Sequence, residues 1–315
     1  MFENRYDCLS HINNTPYKLL SWIDKNKLIL RELSTNPRSI GLLEENPGKI
    51  HWGGLSENPN ASHILERNID KINWSWLSTN IGAIEILKKH PNKIEWKWLS
   101  GNPEAIDILK TDYFKIDYNI LSRNTRASGM LEHLLLENLL KIFPTGINWH
   151  YLSSNKGAVE LLKKYPNKIQ WRSLSANEGA KQLIGENQDK INWAFASGNQ
   201  CCVDFFDDKL DSICWIMLSS NPKAMSIIKA NPDKINWKFL SMNPNAIDIL
   251  EQNQSMIHWE CLSSNIGIFE IDYEILKNRI MPFKEELIQT CLKPEKVERF
   301  LYEYNYDIVA DEMFI

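Results

Sequence analysis

The phrase Leu-Ser-x-Asn recurs eleven times, starting at Leu33, Leu55, Leu77, Leu99, Leu121, Leu152, Leu174, Ala196 (the one departure from leucine), Leu218, Leu240 and Leu262. The interval is 22 residues except from Leu121 to Leu152, where it is 31, a nine-residue insertion. A fixed period of this length means stacked units, none of which can bury its apolar face alone. Residues that recur in every unit are therefore those the stack requires, and any function must lie where units differ.

The unit from Leu218, LSSNPKAMSIIKANPDKINWKF, shows the local logic. Asn221-Pro222 reads as a helix start, with asparagine as cap and proline at the first helical position. Ala224, Met225, Ile227 and Ile228 then share one side of a helix, at spacings of three and four. Asn231-Pro232 ends it, because the residue before proline avoids the helical region. A second segment from Ile235 to Leu240 follows, with Asn236 placed to cap a short helix carrying Trp237. Ile235, Trp237 and Phe239 also alternate as in a strand, so a β/α solenoid of the leucine-rich kind is the alternative. The Leu-x-x-Leu-x-Leu phrase of such repeats is missing and the residue after each tryptophan is usually polar. The expectation is an all-α solenoid of short helix pairs, one α and one short α or 3-10 helix per repeat.

The ends depart from the beat. Residues 1–32 read as a degenerate N-terminal capping repeat, with Thr15-Pro16 starting a helix. Residues 33–276 are the tandem repeats, and 277–315 a C-terminal helical cap with Pro282 and Pro294 in first turns. Ile271-Asp272-Tyr273 echoes Ile116-Asp117-Tyr118 of the fourth unit.

Each recurring position has a structural reading. A cap accounts for every asparagine, in preference to an amide ladder gripping a ligand. A hydroxyl closing the turn between helices accounts for every serine, since a row of nucleophiles without paired bases is not catalysis. The tryptophan column (Trp52, Trp74, Trp96, Trp149, Trp171, Trp193, Trp215, Trp237, Trp259, with Tyr118 in the same place) is flanked by apolar residues and reads as inter-repeat core. Lysines precede it at Lys49, Lys71, Lys93, Lys115, Lys168, Lys190 and Lys234. They stand near helix carbonyl ends, where a cation is favourable, and can lay their stems over tryptophan. A cationic rail for single-stranded nucleic acid is the second reading of that column, blunted by Asp70, Asp189 and Asp233.

Composition excludes little else. The formal net charge is −4, which gives no overall pull toward nucleic acid or anionic membrane. The six cysteines show no CxxC, consistent with free thiols in a reducing compartment. Cys201, Cys202 and Cys214 lack a local histidine and read as small buried residues rather than a metal site. The N-terminus does not read as a signal peptide, and no apolar stretch approaches a membrane span. There is no Gly-rich phosphate loop, no HExxH and no GxSxG, so the expectation is no enzyme, no cofactor and no metal.

Written as LSxNPxAIxILxxNPxKIxWxx, the unit resembles the uncharacterised repeat proteins of giant DNA viruses of the mimivirus kind. The likeness includes Leu20-Ser21-Trp22-Ile23-Asp24 and the tail phrase from Lys293-Pro294 to Asn305-Tyr306-Asp307. The resemblance implies an intracellular protein of the infected host's cytoplasm, possible virion association included, and carries no activity with it. A more distant likeness is to leucine-rich repeat variant proteins.

The units differ most in the fifth, whose insertion is expected to lengthen its first helix into an apolar ridge through Leu135 and Leu139, and in the eighth, with Ala196 and Cys201-Cys202. They also differ in the residue after each tryptophan. The expected function is a non-enzymatic scaffold for a protein partner of unknown identity, with no membrane and nucleic acid only as the alternative. The candidate contacts are Lys97, Asn119, His150, Arg172, Lys238 and Glu260, with Leu135 and Leu139 nearby.

Overall fold

The computed structural model describes residues 15–136, 146–207, 209–284 and 293–303. The chain divides into a unit of residues 18–270 and a smaller one formed by residues up to 17 and from 271 onward.

Residues 18–270 are an all-α repeat solenoid. Most repeats contribute three short helical pieces among the described residues. A wall helix starts at the tryptophan, as in Trp52–Glu57, Trp74–Thr79 and Trp237–Leu240. A flank helix follows, as in Ser62–Glu66, Ile84–Lys89 and Met225–Ala230. A 3-10 turn then ends in the recurrent lysine, as in Pro47–Lys49, Ile69–Lys71 and Pro232–Lys234. The second segment is thus a helix, and in most repeats a side chain caps it. Asn73, Asp117 and Asn236 accept from the amide three residues on, at 3.2, 2.9 and 3.1 Å. His51 does the same through Nδ1, from Gly54 N at 3.0 Å. Capping releases the chain into a helix before the alternating pattern can be used by a strand.

Two local expectations are corrected. Serine does not sit in a turn between helices; it lies in or just beyond the last turn of the wall helix, with its hydroxyl donating to the carbonyl four residues back. Asparagine is more than a helix cap. Asn221 Oδ1 accepts from Lys223 N at 3.0 Å, but the flank helix begins only at Met225. The amide nitrogen instead reaches into the neighbouring repeat.

That reach makes a ladder. Asn80 Nδ2 donates to Ser56 O and to Asn58 O, both at 2.9 Å. The equivalent nitrogen of every repeat donates to the serine carbonyl of the repeat before it. Serine supplies a second, parallel row. Ser56 Oγ donates to Trp52 O at 2.7 Å and accepts from Asn73 N, which opens the next wall helix, at 3.0 Å. All these asparagines and serines are buried, and among the described residues no buried side-chain nitrogen or oxygen lacks a partner. In a water-free interior each bond left unmade would cost the desolvation of its group.

The ladder has no ends. Asn36 Nδ2 donates to Ser263 O at 3.3 Å and Asn265 O at 3.2 Å, and Ser263 Oγ accepts from Ile29 N at 2.8 Å. These are the bonds of an ordinary inter-repeat step, made here between residues more than 220 apart in sequence. Residues 25–32 supply the half-repeat that the eleventh unit lacks. The 3-10 turn Lys25–Lys27 precedes Leu28, which is buried where other units carry isoleucine. Lys27 Nζ lies 5.0 Å from the centre of the Trp259 ring, as Lys71 lies 4.5 Å from that of Trp52. Strand β1 (Tyr17–Leu19) pairs with β2 (Phe269–Ile271). This strand replaces the helix expected from Thr15-Pro16. The seam continues through Leu20 N donating to Ile268 O at 3.0 Å and Lys18 facing Glu270 at 3.6 Å. The repeat array of 18–270 is therefore a closed circuit.

Closure fixes an inside and an outside. Successive wall helices pack directly on one another, including Leu30–Thr35 on Trp259–Ser263 across the seam. Flank helices of neighbouring repeats are spanned instead by ion pairs between long side chains, such as Lys89–Glu66, Lys229–Asp248 and Lys164–Glu132. In a closed array the closer-packed layer has the smaller circumference, so the wall helices line the inner side.

The core lies between the two layers. The phrase leucine, the alanine of the flank segment and the leucine four residues after it are buried in repeat after repeat, as in Leu77, Ala83 and Leu87. The eighth unit trades sizes within this frame: Ala196 is small where others have leucine, and Phe206 is large where others have leucine or isoleucine. Gly82 is required by the stack, because a Cβ there would stand 2.0 Å from Pro59 O of the preceding repeat. The tryptophan column is corrected: every indole in it is half-buried, standing at the edge of the core, whereas Tyr118 in the same place is fully buried.

The fifth unit's flank helix runs Ser128–Leu136, longer than its equivalents, with Leu131 and Leu134 buried. The continuation of the ridge through Leu139 lies outside the described residues. In the smaller unit, Tyr273–Ile280 is capped by Asp272, as its echo of Asp117 implies, and Pro294 opens Pro294–Glu303.

Replacing Asn102 with alanine removes two buried donors and is expected to cost about 2–4 kcal/mol in urea unfolding. Asn102→Asp should cost at least as much, because it points an acceptor at two carbonyls. Ser263→Ala should accelerate amide exchange about tenfold at Ile29, 234 residues away. Unchanged exchange at Ile29 would contradict closure of the ladder.

Candidate interaction surface

Each wall helix turns its Leu-Ser face toward the core, which leaves three positions on the inner side: the two residues after the tryptophan and the third residue of the phrase. Contacts join these positions from one repeat to the next. The Arg123 guanidinium lies 3.9 Å from the centre of the Tyr151 ring, and that of Arg172 4.5 Å from Phe195. His150 Nδ1 and Ser173 Oγ are 2.6 Å apart, and Asn148 Nδ2 donates to Asn119 Oδ1 at 2.7 Å. A Cβ on Gly101 would touch Ile120, and one on Gly198 would touch Met217. The result is a continuous strip along the inner side.

The residues singled out from sequence fall on this strip. Lys97, His150, Arg172, Lys238 and Glu260 are exposed and Asn119 is half-buried. Leu135 is half-buried on the flank helix of the fifth unit, away from the strip. Sequence reasoning missed the residue two after each tryptophan, which it took only as an apolar flank of the column. Trp76 (45% exposed), Trp98 (41%) and Met217 (38%) face solvent there. A signal was available: the position varies from glycine to tryptophan, whereas the true core positions hold to leucine, isoleucine and alanine.

The lysine column is placed differently. Lys71, Lys115, Lys190 and Lys234 lie over the tryptophans of the preceding repeats, at 4.5, 5.0, 4.9 and 4.9 Å from the ring centres. Each such contact contributes about 0.5–1 kcal/mol at an exposed site. The lysines therefore cover half-buried rings and link neighbouring repeats.

Other chemistry on the molecule is sparse. A groove of about 300 Å³ opens between flank helices of the sixth and seventh repeats, lined by Lys156, Glu160, Lys163 and Gln182 among others. It marks where the outer layer spreads apart, and Glu160 there pairs with Lys163 at 2.8 Å. The phrase serines each donate to a carbonyl and accept an amide, which leaves their hydroxyls fully engaged. Cys202 occupies the buried alanine column, and its thiol is pushed up by the Cys201 hydrogen bond and by burial. Cys201 is half-buried with its Sγ 4.0 Å from that of Cys202. The hydrogen bond with Cys202 brings its thiol down to about 7 against the effect of burial, assisted by Asn199 and Lys181. Among the described residues no group of three or more His, Cys, Asp or Glu side chains could hold a metal ion. No described helix is long and apolar enough to cross a membrane.

Charge divides the strip. From Ser75 to Phe195 its three positions carry Lys97, Arg123, His150 and Arg172 and no acidic residue. Glu260, Glu32 and Glu57 cluster near the seam, where Arg31 stands 3.8 Å from Glu32. Burial, and secondarily Glu32, raise the Glu57 carboxyl above the ordinary glutamate range.

No protein-family model, curated protein or solved structure matches the chain.

The raised Glu57 binds its proton more tightly folded than unfolded, so its ionisation opposes folding above that range and ceases to do so as pH falls. Glu57→Gln should raise the thermal midpoint at pH 7, and the gain should shrink toward pH 4. An equal gain at both pH values would separate the effect from ionisation.

Proposed function

We propose that this chain is a non-enzymatic scaffold that holds a protein partner against the inner strip, as one of the giant-virus repeat proteins it resembles and within an infected cell. The observation that carries the reading is the recurrence of exposed large apolar side chains, Trp76, Trp98, Ile216, Met217 and Met242, on the one surface that closure makes continuous. Soluble proteins rarely expose a contiguous apolar strip without a partner for it. Aromatic and arginine side chains are also the residues that dominate protein–protein hot spots. The groups that recur in every repeat are occupied in holding the stack together, which leaves the variable strip for recognition.

The nucleic-acid alternative rested on the lysine column, and four of its seven lysines, Lys71, Lys115, Lys190 and Lys234, lie over tryptophan rings.

A photo-crosslinking residue placed singly at 97, 172 and 238, and at outward positions 85 and 223 as controls, tests the proposal in cells making the chain. The expected result is one shared protein adduct at the inner positions that is absent at the outward ones. Adducts equal at both sets, or none at the inner set, would overturn it.

A further inference from the structure

Cations on this molecule are held in two ways. On the flank side they face carboxylates: Lys88 with Glu85 at 2.7 Å, Lys89 with Glu66 at 2.8 Å, Arg126 with Glu104 at 2.7 Å and Lys229 with Asp248 at 2.7 Å. On the inner strip Arg123 and Arg172 lie on the Tyr151 and Phe195 rings, and Lys97 lies 5.4 Å from the centre of the Trp98 ring. Among the described residues none of these three cations forms an ion pair. Stacking fixes a guanidinium plane in place and leaves its N–H fork free for a carboxylate, which it can grip with two parallel bonds.

Their spacing adds a second constraint. Lys97, His150 and Arg172 stand in the wall helices Trp96–Leu99, Trp149–Ser154 and Trp171–Leu174, and Arg123, two residues past Tyr118–Leu121, reaches the Tyr151 ring of the next repeat. Helices packed directly on one another lie about 8–10 Å apart, and an extended peptide advances about 3.3 Å per residue. One step of the wall therefore matches roughly three residues of an extended chain. The exposed indoles of Trp76 and Trp98 stand at the start of this arc and offer an apolar seat.

Resting on the scaffold reading above, we infer that the arc from Trp76 to Phe195 binds an extended acidic peptide segment, with carboxylates about every third residue and an apolar anchor at the Trp76–Trp98 end. Charge complementarity selects this occupant. The arc has no acidic side chain at its three strip positions, while the seam side of the same strip carries Glu260, Glu32 and Glu57 and would repel the segment's extension in that direction. A single-stranded nucleic acid fits less well. The Tyr151 and Phe195 faces that would stack bases are already covered by guanidinium groups. Few cations remain to neutralise phosphates along its length.

The test uses the full chain and a fluorescent 13-residue peptide with glutamate at every third position and one terminal leucine, read by anisotropy at 150 mM salt. A lysine-for-glutamate peptide and a dT oligonucleotide of similar length serve as controls. Binding of the glutamate peptide is expected, at least tenfold tighter than either control. The double substitution Arg123→Ala and Arg172→Ala should weaken it by tenfold or more, and the outward substitutions Lys223→Ala and Glu85→Gln should leave it within twofold. Circular dichroism of each variant separates loss of binding from loss of fold, and Arg172→Lys gives a second variant with the charge kept and the fork removed. No preference for the glutamate peptide, a tighter oligonucleotide, or indifference to the arginine substitutions would overturn the inference. Inner-strip adducts in the crosslinking experiment alongside such a result would leave the scaffold reading intact with a partner of different chemistry.

Discussion

Everything in the repeat unit depends on one group, the side-chain amide of the phrase asparagine. Its oxygen shapes the turn into the flank segment of its own repeat, and its nitrogen binds two backbone carbonyls of the repeat before. A carboxylate could do the first and not the second, and a serine has too short a reach for either pair. This double demand explains why the position holds asparagine in all eleven repeats while its neighbours vary. The phrase serine adds a parallel row that ties the end of one wall helix to the start of the next. Two rows of buried, fully paired groups set both the spacing and the direction of each step.

A ladder of identical steps has a definite curvature, and here eleven steps bring it back to its origin. Closure has an energetic reason. An open stack leaves one apolar face and one row of carbonyls exposed at each end, and these must be capped. In this chain the last repeat is half-made and the missing half is supplied by residues 25–32, so the two exposed ends satisfy each other. The wall helices consequently form an inner strip with no break, on which side chains from distant repeats act as one surface.

Much of the fold was legible in sequence because it is local and repeated. The period, the helix at Trp237 and its cap at Asn236 all follow from short-range rules. What was misread is instructive. Asn221 looked like an ordinary cap because a cap is visible within four residues, whereas its partner Ser197 lies 24 residues away. The tryptophans looked like core because they are large and flanked by apolar residues. They stand instead at the edge of the core, several of them under a lysine from the next repeat. Trp76 and Trp98, two residues further on, are half exposed, since a helix of four to six residues buries only one side.

The amino-acid sequence alone determined the unit: its length, its helices, its caps and the positions free to vary. Those are properties of a 22-residue stretch and its immediate neighbours. Only the tertiary structure decided that the stack closes, that residues 25–32 belong with Leu262–Ile268, and that the variable residues from separate repeats meet on one inner strip. The physical reason is that closure depends on the small angle between successive repeats, summed over eleven steps. No single step carries that sum in its sequence.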